Sequence, residues 1–498
     1  MGQYCPALGK FVSLTSYFES THYSGQTVRY AADKYRSPYL SQEIEAETAD
    51  PISRWVQYHR QSVLASDAQA MRTMNDLVRG EASGEPRGQN PNPDAARELA
   101  CTLAGSQSGG TAGRLYLNPR SHRVRWPAEF PASEAMPSVV PPILAAAESK
   151  GSKQVLLETP PMGFAWVGSG TPAASTDNPP TPAKPEQEPL VAEENGLRNE
   201  FFQARISPTT GAIQSIQNYS IRGNRLAQQI SMRLPPPPET RRNLDPEAEE
   251  NYSLMAVDEI SAGMLGPMVG RVISRGRLVD RAGKRVARFA QTMIARRGSP
   301  VLELEIELDI KRMPEPHAWK SYYAVRFAWT DETADLMQGV GLCPQPCEGK
   351  YLESPHFLEI RSPKTKLTVF PGGLPYHRRF GFRKLDSLLV VHGETARKFR
   401  LGIGVDVNYP AASAIHCIVH PSELYSLDSA SGSAWGWLFH LDARNVMATH
   451  WEPLCAEGRP NGFRVRLLET EGRYSEATLR AFRGLASARK VDFRGGLH

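Results

Sequence analysis

Apolar and polar residues alternate along much of the chain beyond residue 199, which is the pattern of half-buried β-strands. The clearest run lies at 301–310, and runs at 399–407 and 463–467 repeat the pattern. The apolar face of the first run consists of Leu302, Leu304, Ile306 and Leu308. Because antiparallel sheets with one solvated face give this alternation, residues 196–498 are predicted to form a large antiparallel β-sandwich.

A helical period replaces the alternation between residues 51 and 79. Pro51 suits the first turn of a helix, Asp50 is a competent N-cap, and Gly80 supplies a stop. The apolar residues at helical spacing are Ile52, Trp55, Val56, Val63, Leu64, Met71, Met74 and Leu77. This stripe predicts a core-facing helix in a small helical segment within residues 1–100.

The remaining pattern divides the chain further. Residues 101–167 contain short strand patterns around connectors rich in Pro and Ala, which predict a small β-region. Residues 168–195 contain almost no large apolar residue and predict a Pro/Ala-rich linker or a long excursion. The predicted fold class is therefore multidomain and mainly β, with a large antiparallel β-sandwich preceded by a small helical segment and a short β-region.

The composition is that of an ordinary globular protein. Of 498 residues, 40% are apolar and 22% are charged, which supports buried cores and argues against wholesale disorder. The net charge of +5 is spread over scattered Arg-Arg pairs, so no nucleic-acid partner is expected. No apolar run approaches the length of a membrane span, and the first residues show no secretory signal. We therefore expect a soluble protein without a membrane partner, and a cytoplasmic location is favoured.

Three stretches of the second half carry motifs that occur in the same order in a known family. They are N-x-F-F at 199–202, T-G-x-I-x-S-I at 210–216 and G-N-x-L-x-Q-Q at 223–229, then GGLPYHRR within 319–407, and RVRLLETEG at 464–472. Together they resemble the C-terminal β-region of glycoside hydrolase family 38, the α-mannosidase class. The resemblance implies a galactose mutarotase-like sandwich.

A shorter match lies at 11–18, where the chain reads F-x-S-L-x-x-Y-F. It resembles an F-x-T-L-x-x-Y-F segment late in the catalytic barrel of that family and departs from it at Ser13. The match places the tail of a barrel beside the helical segment in residues 1–100.

The resemblance implies a chemistry whose residues the chain does not show. Family 38 enzymes are retaining α-mannosidases with a divalent metal, usually zinc, beside an aspartate nucleophile, and an early His-x-Asp pair helps to hold the metal. A retaining mechanism needs a nucleophile and an acid/base carboxyl at one glycosidic bond. No segment matches those positions, and His440-Leu-Asp442 lies deep in the β-region, where a strand histidine is favoured over a metal ligand. We expect no catalytic residue, metal ligand or zinc in this chain.

The candidates for carbohydrate contact are polar residues in the family-like stretches, and in the family the part that corresponds to 376–379 helps to close the sugar site. They are Tyr376, His377, Arg378, Arg379, Asn224 and Gln228. Guanidinium and phenol groups suit sugar hydroxyls because they donate directional hydrogen bonds. Alternatively, Arg378 and Arg379 form a solvated turn or pair with Asp386 and Glu359. Asn224 and Gln228 could likewise order a loop through bonds to the backbone.

Three functions remain open. The favoured one is an α-mannosidase-like fragment that lacks the catalytic barrel, is inactive alone, and contributes sugar-site closure or carbohydrate binding. Its partners would be a mannose-type glycan and a separately encoded catalytic barrel. The alternatives are a stand-alone carbohydrate-binding β-sandwich and a non-catalytic interaction protein.

Overall fold

The structure is a computed structural model. It describes Ser13 and residues 39–82, 94–104, 111–131, 133–134, 136–149, 152–168, 190–221, 223–235, 251–266, 268–419, 424–430 and 435–492. From residue 39 onward these belong to one compact unit, Ser37–His498. The barrel-tail match at 11–18, Ser13 apart, and residues 169–189 of the predicted linker lie outside the described residues.

The described helices are α1 (Tyr39–Glu45), α2 (Ser53–Arg79), α3 (Ala95–Ala104) and α4 (Pro410–Ile418). Helix α2 confirms the predicted helix, and it ends at Gly80, whose φ of 75° suits glycine. The predicted N-cap is wrong, because the Asp50 carboxylate accepts hydrogen bonds from Thr395 instead. The first amides of α2 are capped by the Glu394 carboxylate, which comes from the far end of the chain. No helix among the described residues is long and apolar enough to cross a membrane.

The strands fall into three groups along the chain. The first group is β1 (Thr111–Asn118), β2 (Val124–Pro131), β3 (Ile143–Ser149), β4 (Ser152–Thr159) and β5 (Gly163–Gly168). The second is β6 (Val191–Glu193), β7 (Gly196–Arg198), β8 (Gln203–Ile206), β9 (Ile213–Gln217), β10 (Leu226–Arg233), β11 (Leu254–Met264), β12 (Val269–Val279), β13 (Arg285–Arg296), β14 (Val301–Ile310), β15 (Tyr322–Trp329), β16 (Asp335–Val340), β17 (Cys343–Pro346), β18 (Tyr351–Glu353), β19 (Leu358–Arg361), β20 (Lys366–Phe370), β21 (Tyr376–Phe380), β22 (Lys384–Val390) and β23 (Lys398–Val405). The third is β24 (Leu424–Ala430), β25 (Trp435–Trp437), β26 (Phe439–Leu441), β27 (Val446–Ala456), β28 (Arg459–Glu469) and β29 (Leu479–Ala481).

The second group forms two nine-stranded sheets that pack face to face. The front sheet has the order β18-β21-β22-β15-β10-β9-β8-β7-β6, and the back sheet has the order β11-β12-β13-β14-β23-β20-β19-β16-β17. Neighbouring strands pair antiparallel. The predicted apolar face of β14, from Leu302 to Leu308, lies in the core shared by the two sheets. The predicted antiparallel sandwich is confirmed for β6 to β23, whose strands alternate because one face of each packs on this core. Strands β24 to β29, which the prediction placed in the sandwich, belong to other sheets.

The small β-region is built from both ends of the chain. Strands β1 and β5 form a four-stranded sheet with β24 and β25, which come from the C-terminal part, in the order β24-β1-β5-β25. A three-stranded sheet, β2-β4-β3, packs on it through a small apolar core that includes Tyr116, Phe130 and Val155.

Helix α2 contributes to two separate cores. At its start, Ile52, Trp55 and Val56 pack on the core of the large sandwich. In its second half, Met71 and Met74 join the core formed by α3, β1 and the C-terminal hairpin. A helix of 27 residues is about 40 Å long, which is enough to reach both.

Candidate functional site

Strand β21 carries the four candidates Tyr376 to Arg379, and successive side chains alternate between the faces of the front sheet. The pairing of β10, β15, β22 and β21 places Gln228 and Arg379 on the same face. Gln228 bonds to the back sheet, so this face is the inner one. Tyr376 and Arg378 therefore lie on the outer face, and His377 lies on the inner face. The sequence pattern alone did not say which residue of the run faces which way.

His377 is fully buried and has protein partners for both ring nitrogens. Its Nδ1 lies 2.9 Å from the Ser387 hydroxyl, and its Nε2 lies 3.0 Å from the Ser354 carbonyl oxygen. Because a carbonyl only accepts, Nε2 must carry the proton. Burial lowers the pKa of His377 to about 4, so the imidazole is neutral at physiological pH. This ring links β21 to β22 through Ser387 and to the residue that follows β18, Ser354, within the core.

The outer face of the front sheet holds a buried group of charged and aromatic residues, here called the arginine–tyrosine cluster. Its members are Arg233, Tyr252, Tyr322, Arg326, Arg378, Phe380 and Asp386, all of them buried. Asp386 is at the centre: one carboxylate oxygen accepts from Arg326 Nε at 2.9 Å. The other accepts from the hydroxyls of Tyr252 at 2.7 Å and Tyr322 at 2.8 Å.

Aromatic rings supply further stabilisation to the guanidinium groups of this cluster. The Arg326 guanidinium carbon lies 3.6 Å from the Tyr252 ring centroid, and that of Arg378 lies 4.5 Å from the Phe380 centroid. Burial, followed by the nearby Asp386 charge, raises the pKa of both Tyr252 and Tyr322 well above its usual value. The two phenols therefore stay protonated and act as donors to Asp386.

The cluster reaches the surface at the edge of the sheet. The Arg378 Nη1 donates to the Trp319 carbonyl oxygen at 2.6 Å, and Tyr351 lies opposite Arg378 on edge strand β18. The rings of Trp319 and Tyr351 are 4.4 Å apart at 40°, and both side chains are half-buried. This aromatic pair, here called the sheet-edge pair, is the solvent-accessible margin of the cluster.

The structure shows only part of the alternative in which Arg378 and Arg379 pair with Asp386 and Glu359. Arg378 lies opposite Asp386, as one alternative supposed, although Arg326 donates the hydrogen bond to that carboxylate. Arg379 is half-buried and donates to the Cys347 carbonyl oxygen at 2.9 Å. Glu359 is fully buried and pairs with Arg361 at 2.7 Å.

Asn224 organises the turn before β10. Its side-chain oxygen accepts from the Leu226 amide at 3.1 Å, and its side-chain nitrogen donates to the Gln214 carbonyl at 3.3 Å. The Asn224 carbonyl accepts from the Thr330 hydroxyl at 2.6 Å. These bonds match the alternative in which the side chain orders a loop.

Gln228 joins the two sheets of the sandwich. Its amide exchanges two hydrogen bonds of 3.0 Å with the Gln291 amide on β13, and both residues are buried. A reciprocal amide pair satisfies a donor and an acceptor on each side chain, which a buried polar group needs. The pair fixes how the sheets face each other.

Replacing one member of this amide pair should cost more than replacing both. We expect Gln228→Leu to lower the free energy of unfolding by about 1–3 kcal/mol, because it leaves the buried Gln291 amide without its hydrogen-bond partner. Adding Gln291→Leu should restore most of the loss. Chemical denaturation of the two single variants and the double variant measures the coupling. Losses that simply add would contradict the pair.

The structure shows no cluster of metal ligands in its described part. No group of three or more His, Cys, Asp or Glu side chains there could hold a metal ion. In the His440-Leu-Asp442 motif, His440 lies on β26 and Asp442 accepts from the Thr478 amide at 2.7 Å. The described residues therefore do not fit a zinc site of the kind the resemblance implied.

Sequence reasoning missed the central residues of the cluster. Arg326 lies in the apolar run SYYAVRFAW, and Asp386 lies in LDSLLVV. A charge within an apolar strand must be paired if the strand is buried on both faces, so these two runs carried a usable signal. Tyr252 gave no such signal because it follows a long polar loop sequence.

Comparison with known proteins agrees with a glycoside hydrolase architecture. No protein-family model matches the sequence, and no curated protein matches it. An α-mannosidase structure from Enterococcus faecalis V583 aligns with 89% of this chain and 64% of its own, at 9% identity and a TM-score of 0.58. A glycosyl hydrolase family 38 protein from Enterococcus faecalis aligns with 88% of this chain and 67% of its own, at 10% identity and a TM-score of 0.59.

The likeness establishes the fold of the chain. Its described part has the mainly β architecture, with large antiparallel sheets, that those two structures share over most of this chain. The predicted resemblance to the C-terminal region of family 38 is confirmed at the level of the fold. The chain spans about two thirds of the length of these two structures. A galactose mutarotase-related enzyme from Lactobacillus acidophilus aligns with 43% of this chain, at 6% identity and a TM-score of 0.26.

Proposed function

We propose that this chain is the non-catalytic part of an α-mannosidase-like glycoside hydrolase, which closes a carbohydrate site on a separate catalytic barrel. The observation that carries the proposal is the fold match over 88–89% of the chain, which spans only 64–67% of the matching structures. The part of those structures without a counterpart here is large enough to hold a catalytic domain. The partners in this proposal are a mannose-type glycan and the barrel polypeptide.

Three buried carboxylates of the large sandwich are held by structural partners and are not available as catalytic groups. A retaining glycosidase needs two carboxyl groups about 5–5.5 Å apart that face the substrate. Asp386 accepts from three donors and has no exposed surface. Glu359 is held by Arg361, and Glu394 caps helix α2. Each of these carboxylates is occupied by structural partners.

The sheet-edge pair is the proposed carbohydrate contact. Trp319 and Tyr351 present aromatic surface at the edge of the front sheet, and aromatic rings favour contact with the apolar face of a sugar ring. Arg378, which is buried behind them, fixes the loop of Trp319 through its carbonyl oxygen. In this proposal the predicted residues Tyr376, whose ring lies 6.3 Å from that of Trp319, and Arg378 support the contact from beneath.

The test measures binding and hydrolysis in the same samples. Mannose oligosaccharides are titrated calorimetrically into the chain with added zinc, and released mannose is quantified afterwards. We expect binding without release, and about tenfold weaker binding for Tyr351→Ala, which corresponds to ~1.4 kcal/mol. Tyr474→Ala serves as the control, because Tyr474 is 87% exposed and lies outside the front sheet.

Two results would count against the proposal. Release of mannose in proportion to the amount of chain would show that a nucleophile is present. Equal affinities of wild type and Tyr351→Ala would remove the sheet-edge pair as the contact.

A further inference from the structure

A second aromatic surface lies on the small β-region, on a different sheet from the arginine–tyrosine cluster. Strand β25 reads Trp435-Gly436-Trp437 and lies at the edge of the four-stranded sheet. The two tryptophan residues are 48% and 37% exposed. Every other tryptophan with a described side chain is buried or half-buried. Two large indoles left exposed side by side form an aromatic surface that is a candidate binding site.

The backbone holds the two indoles side by side. Residues two apart on a strand point to the same face and are roughly 7 Å apart. Their neighbours on the adjacent strand are Ala165 and Gly163, which are too small to cover the rings.

Two glycine positions let the strand that carries the indoles approach its neighbour closely. A Cβ on Gly436 would come within 3.1 Å of the Phe164 ring, and one on Gly163 would meet the Gly436 carbonyl oxygen at 2.2 Å. Strands β5 and β25 therefore pack too closely for side chains at these positions.

Polar groups flank the indoles rather than a continuous apolar surface. The His440 ring lies 5.7 Å from the Trp437 ring, and Arg480 lies opposite His440 on edge strand β29. Arg480 is exposed and His440 is partly exposed, whereas the apolar Leu438 and Phe439, which lie between Trp437 and His440 in the chain, are buried. A hydrogen-bonding rim beside separate aromatic faces suits a ligand that alternates apolar faces with hydroxyl groups.

We propose that Trp435 and Trp437 form a binding platform for a neutral oligosaccharide of pyranose units. Two successive sugar rings would stack on the indoles, and His440 and Arg480 would hydrogen-bond to their hydroxyls. The surface would anchor a glycan chain on the small β-region, independently of the sheet-edge pair. It adds a second carbohydrate contact to the proposed function and does not require that function to be correct.

The test uses the full chain with hexasaccharides of mannose, glucose and xylose. We expect at least one of them to bind by calorimetry and to change the intrinsic tryptophan fluorescence. Each of Trp435→Ala and Trp437→Ala should weaken binding about tenfold, which is ~1.4 kcal/mol, and the double variant should abolish it. All of these variants are also compared in a Tyr351→Ala background, so that a loss caused by the tryptophan changes is separated from any contribution of the sheet-edge pair. Tyr474→Ala is the control for loss of an exposed aromatic ring.

Three outcomes would overturn the proposal. They are the absence of binding to every hexasaccharide, equal binding by wild type and the double variant, and a wild-type dimer that the double variant loses. The last would make the platform an interface between two copies of the chain. Unchanged thermal midpoints of the variants would show that any loss of binding is not a loss of folding.

Discussion

Replacing Asp386 with asparagine is expected to lower the free energy of unfolding by about 3–5 kcal/mol, the usual cost of breaking a buried ion pair. The carboxylate supplies the negative charge among Arg233, Arg326 and Arg378, all of which are at most 5% exposed. Asparagine keeps the shape but removes the charge, so the buried Arg326 loses its ionic partner. It also weakens the acceptor of two tyrosine hydroxyls.

The matched control for this variant is Asp258→Asn. Asp258 also pairs with an arginine, Arg277, but both side chains are 49% exposed. Exposed pairs contribute about 0–1 kcal/mol because water and salt screen them. Denaturant midpoints of the two variants should therefore differ clearly. Similar midpoints would show that burial of the Asp386 pair does not matter to stability.

Replacing Glu394 with alanine is expected to cost about 2–3 kcal/mol and to loosen the start of helix α2. The carboxylate is 1% exposed and accepts from the amides of Ile52 at 2.9 Å and Ser53 at 3.0 Å, and from the Ser53 hydroxyl at 2.6 Å. Its negative charge also suits the positive end of the helix dipole. Without it, buried helix amides lose their acceptor.

Hydrogen exchange measures this effect directly. Amides in the first turn of α2 should exchange faster in Glu394→Ala, while those of β14 in the sandwich core stay protected. Ser53→Ala is the control, since it removes only the hydrogen bond from the Ser53 hydroxyl and keeps the two from the backbone amides of Ile52 and Ser53. Exchange of the first turn at the wild-type rate would contradict the capping role.

The sequence predicted the secondary-structure elements better than it predicted which residues contact each other. The alternation at 301–310 and the stripe in α2 were readable because a strand and a helix each bury one face at a fixed period. The capping role of Glu394 could not be predicted, because its partner Ser53 lies 341 positions away and no local sequence pattern connects the two residues. Sequence spacing says which residues can share a face, and only the packed structure says which face is inside.

The candidate site shows the same limit on a smaller scale. The run 376–379 was correctly singled out as polar, but a period of two sends His377 inward and Arg378 outward. Whether these residues contact sugar remains a prediction. Asp386 lies opposite Arg378 only because β21 and β22 pair in one particular register, which the turn between them sets.

Helix α2 packs in both hydrophobic cores of this protein, so the two cores must be inherited together. The sandwich core uses Ile52 and Trp55, and the second core uses Met71 and Met74 of the same helix. Strands β24 and β25 come from the C-terminal part and pair with β1 and β5 of the small β-region, so a later part of the chain is also joined to an earlier one. Recombination that moved the sandwich alone into another protein would expose to water the apolar surface on which the start of helix α2 packs. Such a recombined protein would be selected against.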